Sequence, residues 1–170
     1  MSVAVVVGNP KVGSRTLRVA LAVADGLDRR VDDLSPRVVV DLAEVAAEIF
    51  DPGATKVKQW LETVAASDLV IVASPTYKAT YTGLLKSFLD RYGNDALAGT
   101  VAVAVMTGAA PVHALAPEVH LRPLLVELGA SVPSRALYVV EEQFDDLDAV
   151  IGPWAEVAAP LVARALSRVH

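Results

Sequence analysis

The feature that most constrains the fold is a set of short apolar runs, rich in β-branched residues, separated by helical patterns. The run at residues 69–73 lies between Asp68 and Ser74-Pro75 and contains no polar residue. Such a run is typical of a parallel strand that is buried on both faces. Because Pro75 has no backbone N–H, we expect the strand to end there. After a polar and aromatic loop, an apolar stripe predicts a buried helix face formed by Leu84, Leu85, Phe88 and Leu89.

The same alternation continues along the chain and predicts five βα units. Further strand-like runs lie at residues 3–7, 37–42, 100–106 and 136–140. Ser14 and Thr55 are candidate N-caps of the first two helices, and Gly129 is a candidate C-cap of the fourth, which spans about residues 117–128. Five buried parallel strands with intervening helices fit an α/β fold, a doubly wound flavodoxin-like sheet of order 2-1-3-4-5. We expect one domain covering residues 1–170.

In this strand order, the first and third strands flank the point where the chain direction across the sheet reverses. The loops that follow Val7 and Ser74 are therefore predicted to form one crevice. The first loop ends with Ser14, Arg15 and Thr16 at a helix start, where free N–H groups and the helix dipole favour a phosphate. A simple helix cap at Ser14 is the alternative. The loop is not a Walker A motif, because the phosphate-binding lysine is missing.

The second loop begins with Pro75, Thr76 and Tyr77, which provide a rigid backbone and an aromatic face. These features suit a flat, redox-active ring that is bound through backbone groups. An ordinary surface turn is the alternative, since Pro and Thr are common in turns. The positions of Tyr77 and Tyr81 at the predicted ligand-binding edge favour the ring.

Composition excludes several other classes of protein. The chain is 54% hydrophobic with a mean hydropathy of +0.45, but no apolar run approaches the roughly 20 residues of a spanning helix. No basic segment precedes the first apolar run, so we predict a soluble, cytoplasmic protein without a membrane segment. The absence of cysteine excludes disulfides, thiolate metal sites and a cysteine nucleophile. A net charge of −5 argues against a nucleic-acid partner.

Other polar residues do not form a recognisable catalytic set. His113, His120 and His170 lack metal-binding spacing, so no metal site is predicted. No serine lies in a GxSxG motif. The acidic residues within segment 141–146 are interpreted as a solvated loop.

A specific resemblance is carried by the segment SPTYKATYTGLLK at residues 74–86. It resembles the NADPH-dependent FMN reductase family, and is most similar to reductases that supply reduced FMN to partner monooxygenases, such as those of alkanesulfonate desulfonation. The first loop, GNPKVGSRT, is similar to the phosphate loop of that family. Further matches occur in order at Thr107-Gly108 and across residues 121–130, so the resemblance covers residues 3–140.

The resemblance implies where FMN binds. The residues implied for the phosphate are Ser14, Arg15 and Thr16. The residues implied for the isoalloxazine are Pro75, Thr76 and Tyr77 on one side and Thr107 and Gly108 on the other. The reaction implied is hydride transfer from NADPH or NADH to FMN, with no catalytic acid or base from the protein.

The resemblance also implies partners. Related reductases are dimers or tetramers with flavin near the interface, so a homodimer or homotetramer is expected. Residues 113–128 are predicted at or near the contact, because Ala114, Leu115 and Val119 lie off the apolar stripe that covers the sheet. A monomer with a kinked core helix is the alternative. A flavin-dependent monooxygenase is the implied acceptor of reduced FMN. Two alternatives stay open: a quinone or azo-dye reductase with bound FMN, and a flavodoxin-like electron carrier without enzymatic activity. Tyr77 and the Pro-containing first loop favour the reductase over the carrier.

Overall fold

The computed structural model describes residues 1–168, and His170 therefore lies outside the described residues. The strands are β1 (Val3–Val7), β2 (Arg37–Asp41), β3 (Leu69–Pro75), β4 (Val101–Gly108) and β5 (Leu137–Val140). The helices are α1 (Arg15–Asp28), α2 (Thr55–Ala65), α3 (Gly83–Leu89), α4 (Arg122–Glu127) and α5 (Leu147–Leu166).

The strands form one parallel sheet of order β2-β1-β3-β4-β5, which confirms the predicted flavodoxin-like topology. In the register, Val7 of β1 pairs with Ala73 of β3, and Pro75 of β3 pairs with Thr107 of β4. The carboxyl ends of β1, β3 and β4 therefore lie side by side at one edge, and the loops that follow them must meet there.

Two apolar layers cover the sheet. Helices α1 and α5 pack on one face, and α2, α3 and α4 pack on the other. Every residue of β1 and β3 is buried, because alternate side chains point into opposite layers. This two-sided burial accounts for the uninterrupted apolar runs of β1 and β3. The prediction of two-sided burial is wrong for β2, because this strand lies at the edge of the sheet and its Val38 and Val39 are 39% and 41% exposed.

The predicted helix starts are confirmed at Ser14 and wrong at Thr55. The Ser14 hydroxyl accepts a hydrogen bond from the backbone N–H of Leu17 at 3.2 Å, as an N-cap does. Ala54 occupies the cap position of α2, and Thr55 is its first helical residue. The preceding turn displaces the start: Asp51 accepts the Gly53 N–H at 2.7 Å, and its carbonyl accepts the Ala54 N–H.

The predicted fourth helix is divided into two parts. Residues Pro117–Leu121 form a π-helical turn, and α4 follows directly. Pro123 has no N–H to donate to the preceding turn, which favours such an irregularity. Gly129 has a φ of +90°, in agreement with its predicted role as the C-terminal cap.

Within residues 1–168, α5 is the single helix that is long and apolar enough to cross a membrane by length and composition. Core helices of water-soluble domains pass the same test. Six residues of α5 are buried, and this helix packs beside α1 on the sheet, so it forms one layer of the domain.

Candidate functional site

A cleft of about 480 Å³ lies at the carboxyl edge of the sheet, between the segments that follow β1, β3, β4 and β5. All the binding residues predicted from sequence line it, although they come from three distant segments. They are Ser14, Arg15, Thr16, Pro75, Thr76, Tyr77, Thr107 and Gly108.

The first loop is held in place by a buried carboxylate at the end of β2. Asp41 is only 4% exposed, and its two oxygens accept the N–H groups of Gly13 and Ala43, both at 3.3 Å. Gly13 has a φ of +61°, a conformation that a glycine adopts without strain. Asp41 thus fixes the turn that leads into α1. The sequence signal for a role of Asp41 is that it is a charged residue directly after the apolar residues of a strand.

Arg15 is an exposed cation at this end of the cleft. Its guanidinium Nη2 donates to Glu141 Oε1 at 2.7 Å, and its Cζ lies 5.3 Å from the centre of the Phe144 ring. The Arg15 side chain is 62% exposed and the Glu141 side chain is 42% exposed. The ion pair is therefore accessible to solvent and to ligands.

Thr16 connects the first loop to β4. Its Oγ1 lies 3.0 Å from Thr107 Oγ1 in a buried contact, and it also accepts Asn9 Nδ2 at 3.1 Å. The Thr16 hydroxyl is thus part of the cleft floor, whereas its backbone N–H belongs to the first turn of α1, where helices leave N–H groups without internal acceptors.

The segment after β3 turns back tightly at the mouth of the cleft. Tyr77 and Thr80 exchange backbone hydrogen bonds of 2.8 and 3.2 Å, with Lys78 and Ala79 at positive φ between them. The Thr76 N–H donates to the Thr107 carbonyl at 2.7 Å. Tyr77 is consequently displayed at the surface, with 51% of it exposed.

Buried hydroxyls join this turn to the end of β1. The Ser74 hydroxyl accepts the Thr82 N–H at 3.0 Å, and the Thr82 hydroxyl donates to the Gly8 carbonyl. Thr82 also caps α3 by accepting the Leu85 N–H at 3.1 Å. A Cβ atom at Gly8 would overlap Leu85 Cβ, so glycine permits the close approach of β1 and α3.

One buried polar group in the cleft is left without a partner within residues 1–168 of the protein. Thr76 Oγ1 is the one buried side-chain N or O atom without a hydrogen-bond partner in the described part of the chain. Gly108 lies beside it, and a Cβ at Gly108 would overlap the Tyr138 hydroxyl. A polar ligand edge in the cleft would satisfy the Thr76 hydroxyl.

The cleft also contains residues that sequence reasoning missed. Asn9, Lys11, Ala109, Glu141 and Phe144 line it. The sequence predicts that Glu141 belongs to a solvated loop, whereas in the structure it forms the ion pair with Arg15 described above. Its distance of 126 positions from Arg15 in sequence left no local signal for this contact.

The two histidines that the structure describes lie in different environments. His113 is half-buried at the end of the short helical turn Pro111–His113, and His120 is exposed in the π-helical turn. No group of metal-ligating side chains is found within residues 1–168.

The fold is flavodoxin-like, and its candidate site is the cleft at the switch point of the sheet. The sequence profile of the NADPH-dependent FMN reductases matches residues 1–145, so the chain belongs to that family. This membership confirms the predicted flavodoxin-like fold, the flavin reductase class and, at the level of the family, the use of FMN and NAD(P)H.

Individual relatives agree with this assignment. The chain is 32% identical over 148 residues to an NADH-dependent FMN reductase, SfnF, from Pseudomonas putida, covering 84% of this chain and 79% of that protein. It is 31% identical over 149 residues to an FMN reductase (NADPH) from Escherichia coli (strain K12), covering 86% of this chain and 76% of that protein. The apo crystal structure of an NADH:FMN oxidoreductase, EMOB, superimposes on this chain with a TM-score of 0.81 at 29% identity. The match covers 99% of this chain and 90% of that structure's chain.

Proposed function

We propose that the cleft binds FMN, with the phosphate at Ser14, Arg15 and Thr16, and that the chain reduces this flavin with NADPH or NADH. The observation that carries the proposal is the convergence of all predicted binding residues on one cleft. The cleft lies where open α/β sheets bind nucleotides.

The phosphate end is supported by charge and by unpaired donors. The first N–H groups of α1 point out of the helix, and the helix dipole places positive charge there. Arg15 adds a guanidinium at the same end, and the Ser14 hydroxyl, which accepts from Leu17, keeps its own proton to donate. A dianionic phosphate is the group that such donors bind best.

The ring end is supported by shape and hydrogen-bonding capacity. Pro75 and the Thr76–Thr107 backbone bond make this wall rigid. The unpartnered Thr76 hydroxyl offers a hydrogen bond to a polar ring edge. Tyr77 contributes an exposed aromatic face at the mouth.

A bound flavin supplies the redox chemistry by accepting a hydride. The protein side chains bind the phosphate and orient the ring. No side chain is assigned as a catalytic acid or base, because hydride transfer to the flavin does not require one.

We also propose a homodimer or homotetramer that uses the face formed by the short helical turn, the π-helical turn and α4. Four large apolar side chains are exposed there, namely Val112, Leu115, Val119 and Val126, at 78, 66, 56 and 53%. The stripe of Leu121, Leu125 and Leu128 already covers the sheet, so these four need another partner. A second copy of the chain provides it.

For the acceptor, we propose a flavin-dependent monooxygenase in the cytoplasm. The open mouth beside Tyr77 permits reduced FMN to leave, which a flavin-supplying reductase requires. Reduced flavin released to such a partner should support oxygenation without a stable complex between the two proteins.

The test combines two measurements on the purified protein. A colourless preparation that oxidises NADPH or NADH only after FMN is added supports the flavin-supplying reductase. A yellow preparation that reduces quinones or azo dyes without added FMN would favour the reductase with bound flavin. Flavin binding without nicotinamide oxidation would favour the electron carrier.

A further inference from the structure

The Arg15–Glu141 ion pair occupies the cation that the proposed phosphate site would use. Nη2 of Arg15 donates to Glu141 Oε1 at 2.7 Å, and both residues line the cleft. Phe144 lies beneath the guanidinium at 5.3 Å, so a cation–π contact holds Arg15 at this position. The guanidinium is thus fixed from one side and bonded to a carboxylate on its edge.

A carboxylate and a phosphate can both bind a guanidinium, since both accept its planar N–H donors. Glu141 also places a negative charge close to the position proposed for a dianionic phosphate, and like charges repel there. Because both side chains are substantially exposed, the pair is weakly held and is open to exchange.

We propose that Glu141 is an internal competitor of the flavin phosphate for Arg15, and that it weakens FMN binding so that FMN exchanges as a substrate. Glu141 therefore determines how long the flavin stays and how strongly FMN is preferred over riboflavin. This inference rests on the proposed binding of the phosphate by Arg15.

The neighbouring carboxylate offers a matched control. Glu142 is exposed, follows Glu141 in the same short helical turn, Glu141–Gln143, and lines no part of the cleft. Glu142→Gln removes one negative charge from the same loop without removing the partner of Arg15. A difference between Glu141→Gln and Glu142→Gln therefore reports the position of the Glu141 carboxylate in the cleft rather than the net charge of the protein.

The experiment measures dissociation constants of FMN and riboflavin by fluorescence quenching for the wild type, Glu141→Gln, Glu142→Gln, Arg15→Ala and Arg15→Ala/Glu141→Gln. We expect Glu141→Gln to bind FMN about five- to tenfold more tightly, with riboflavin affinity unchanged. Glu142→Gln should resemble the wild type. In the Arg15→Ala background, Glu141→Gln should raise FMN affinity clearly less than it does in the wild type, because the competition for Arg15 has been removed.

The outcomes separate this inference from the proposed function. If Glu141→Gln weakens FMN or changes FMN and riboflavin equally, while Arg15→Ala selectively weakens FMN, Glu141 is not a competitor and the phosphate site stands. An equal gain in the two backgrounds likewise overturns competition for Arg15. If the wild type itself binds FMN no better than riboflavin, the proposed phosphate site fails, and the inference fails with it.

Discussion

Thr16 and Thr107 face each other in the buried floor of the cleft, with their Oγ1 atoms 3.0 Å apart. The contact joins the first turn of α1 to the end of β4 across 91 positions of sequence. It thereby holds the proposed phosphate end and the proposed ring end of the cleft in one arrangement.

Replacing Thr107 by Val removes this hydrogen bond and retains the shape of the side chain. We expect a loss of about 1–2 kcal/mol in the free energy of unfolding, because the Thr16 hydroxyl loses a buried partner. Urea unfolding measures the loss, and the KM for FMN should rise with it. Thr107→Ser, which keeps the hydroxyl, should stay close to the wild type; a Ser variant as unstable as Thr107→Val would contradict this explanation.

Ser14→Asp tests the phosphate end directly. A carboxylate at the start of α1 still caps the helix but repels a dianionic phosphate, so FMN affinity should fall by at least about tenfold. Riboflavin, which lacks the phosphate, should be affected much less. Ser167→Asp adds the same charge beyond the end of α5 and is the control. Equal weakening of both flavins by Ser14→Asp would show that the phosphate lies elsewhere.

Tyr77 tests the ring end. Because its side chain is half-exposed at the mouth of the cleft, Tyr77→Ala should leave the fold intact. We expect a higher KM for FMN or a changed visible spectrum of bound flavin, with Tyr77→Phe close to the wild type. Unchanged kinetics and an unchanged spectrum for Tyr77→Ala would show that Tyr77 does not contribute to flavin binding.

Gly8→Ala tests the close approach of β1 and α3. The added Cβ would overlap Leu85 Cβ, and the α3 backbone at Leu85 Cα is only 3.2 Å away. Overpacking of this kind costs about 1–3 kcal/mol, measurable as a lower midpoint of urea unfolding. Gly152→Ala is the control, since Gly152 lies in α5 and its added Cβ would meet no atom of the surrounding structure within 4 Å. It should be at least as stable as the wild type, because alanine favours a helix more than glycine does. A Gly8→Ala protein as stable as the wild type would show that the backbone around Gly8 relaxes freely.

Val119→Asp tests the proposed assembly. Val119 is 56% exposed in the π-helical turn, so a charge there costs little in a monomer but much in an apolar interface. Light scattering at micromolar concentration should show an oligomer for the wild type and a smaller species for Val119→Asp. Val157→Asp, at a 69% exposed site on α5, is the control. A wild-type mass near 17.9 kDa with full activity would overturn the proposed oligomer.

The sequence by itself determined the strands, the topology and the location of the cleft. Apolar runs such as Val3–Val7 encode burial on both faces, and that pattern is local, so it can be read without the fold. Ser14 was recognisable as a cap because a cap depends on its own next three residues. The rule that ligands bind at the switch point then brought the loops after Val7 and Ser74 together.

Only the tertiary structure decided the partners of the side chains within that cleft. The contacts of Arg15 with Glu141 and of Thr16 with Thr107 span 126 and 91 positions. The hydrophobic periodicity of the sequence cannot indicate such a pair, because each contact depends on how the ends of β4 and β5 are packed against α1. The physical reason is that burial is encoded residue by residue, whereas a hydrogen bond requires two atoms to be placed within about 3 Å by the packing of the whole domain.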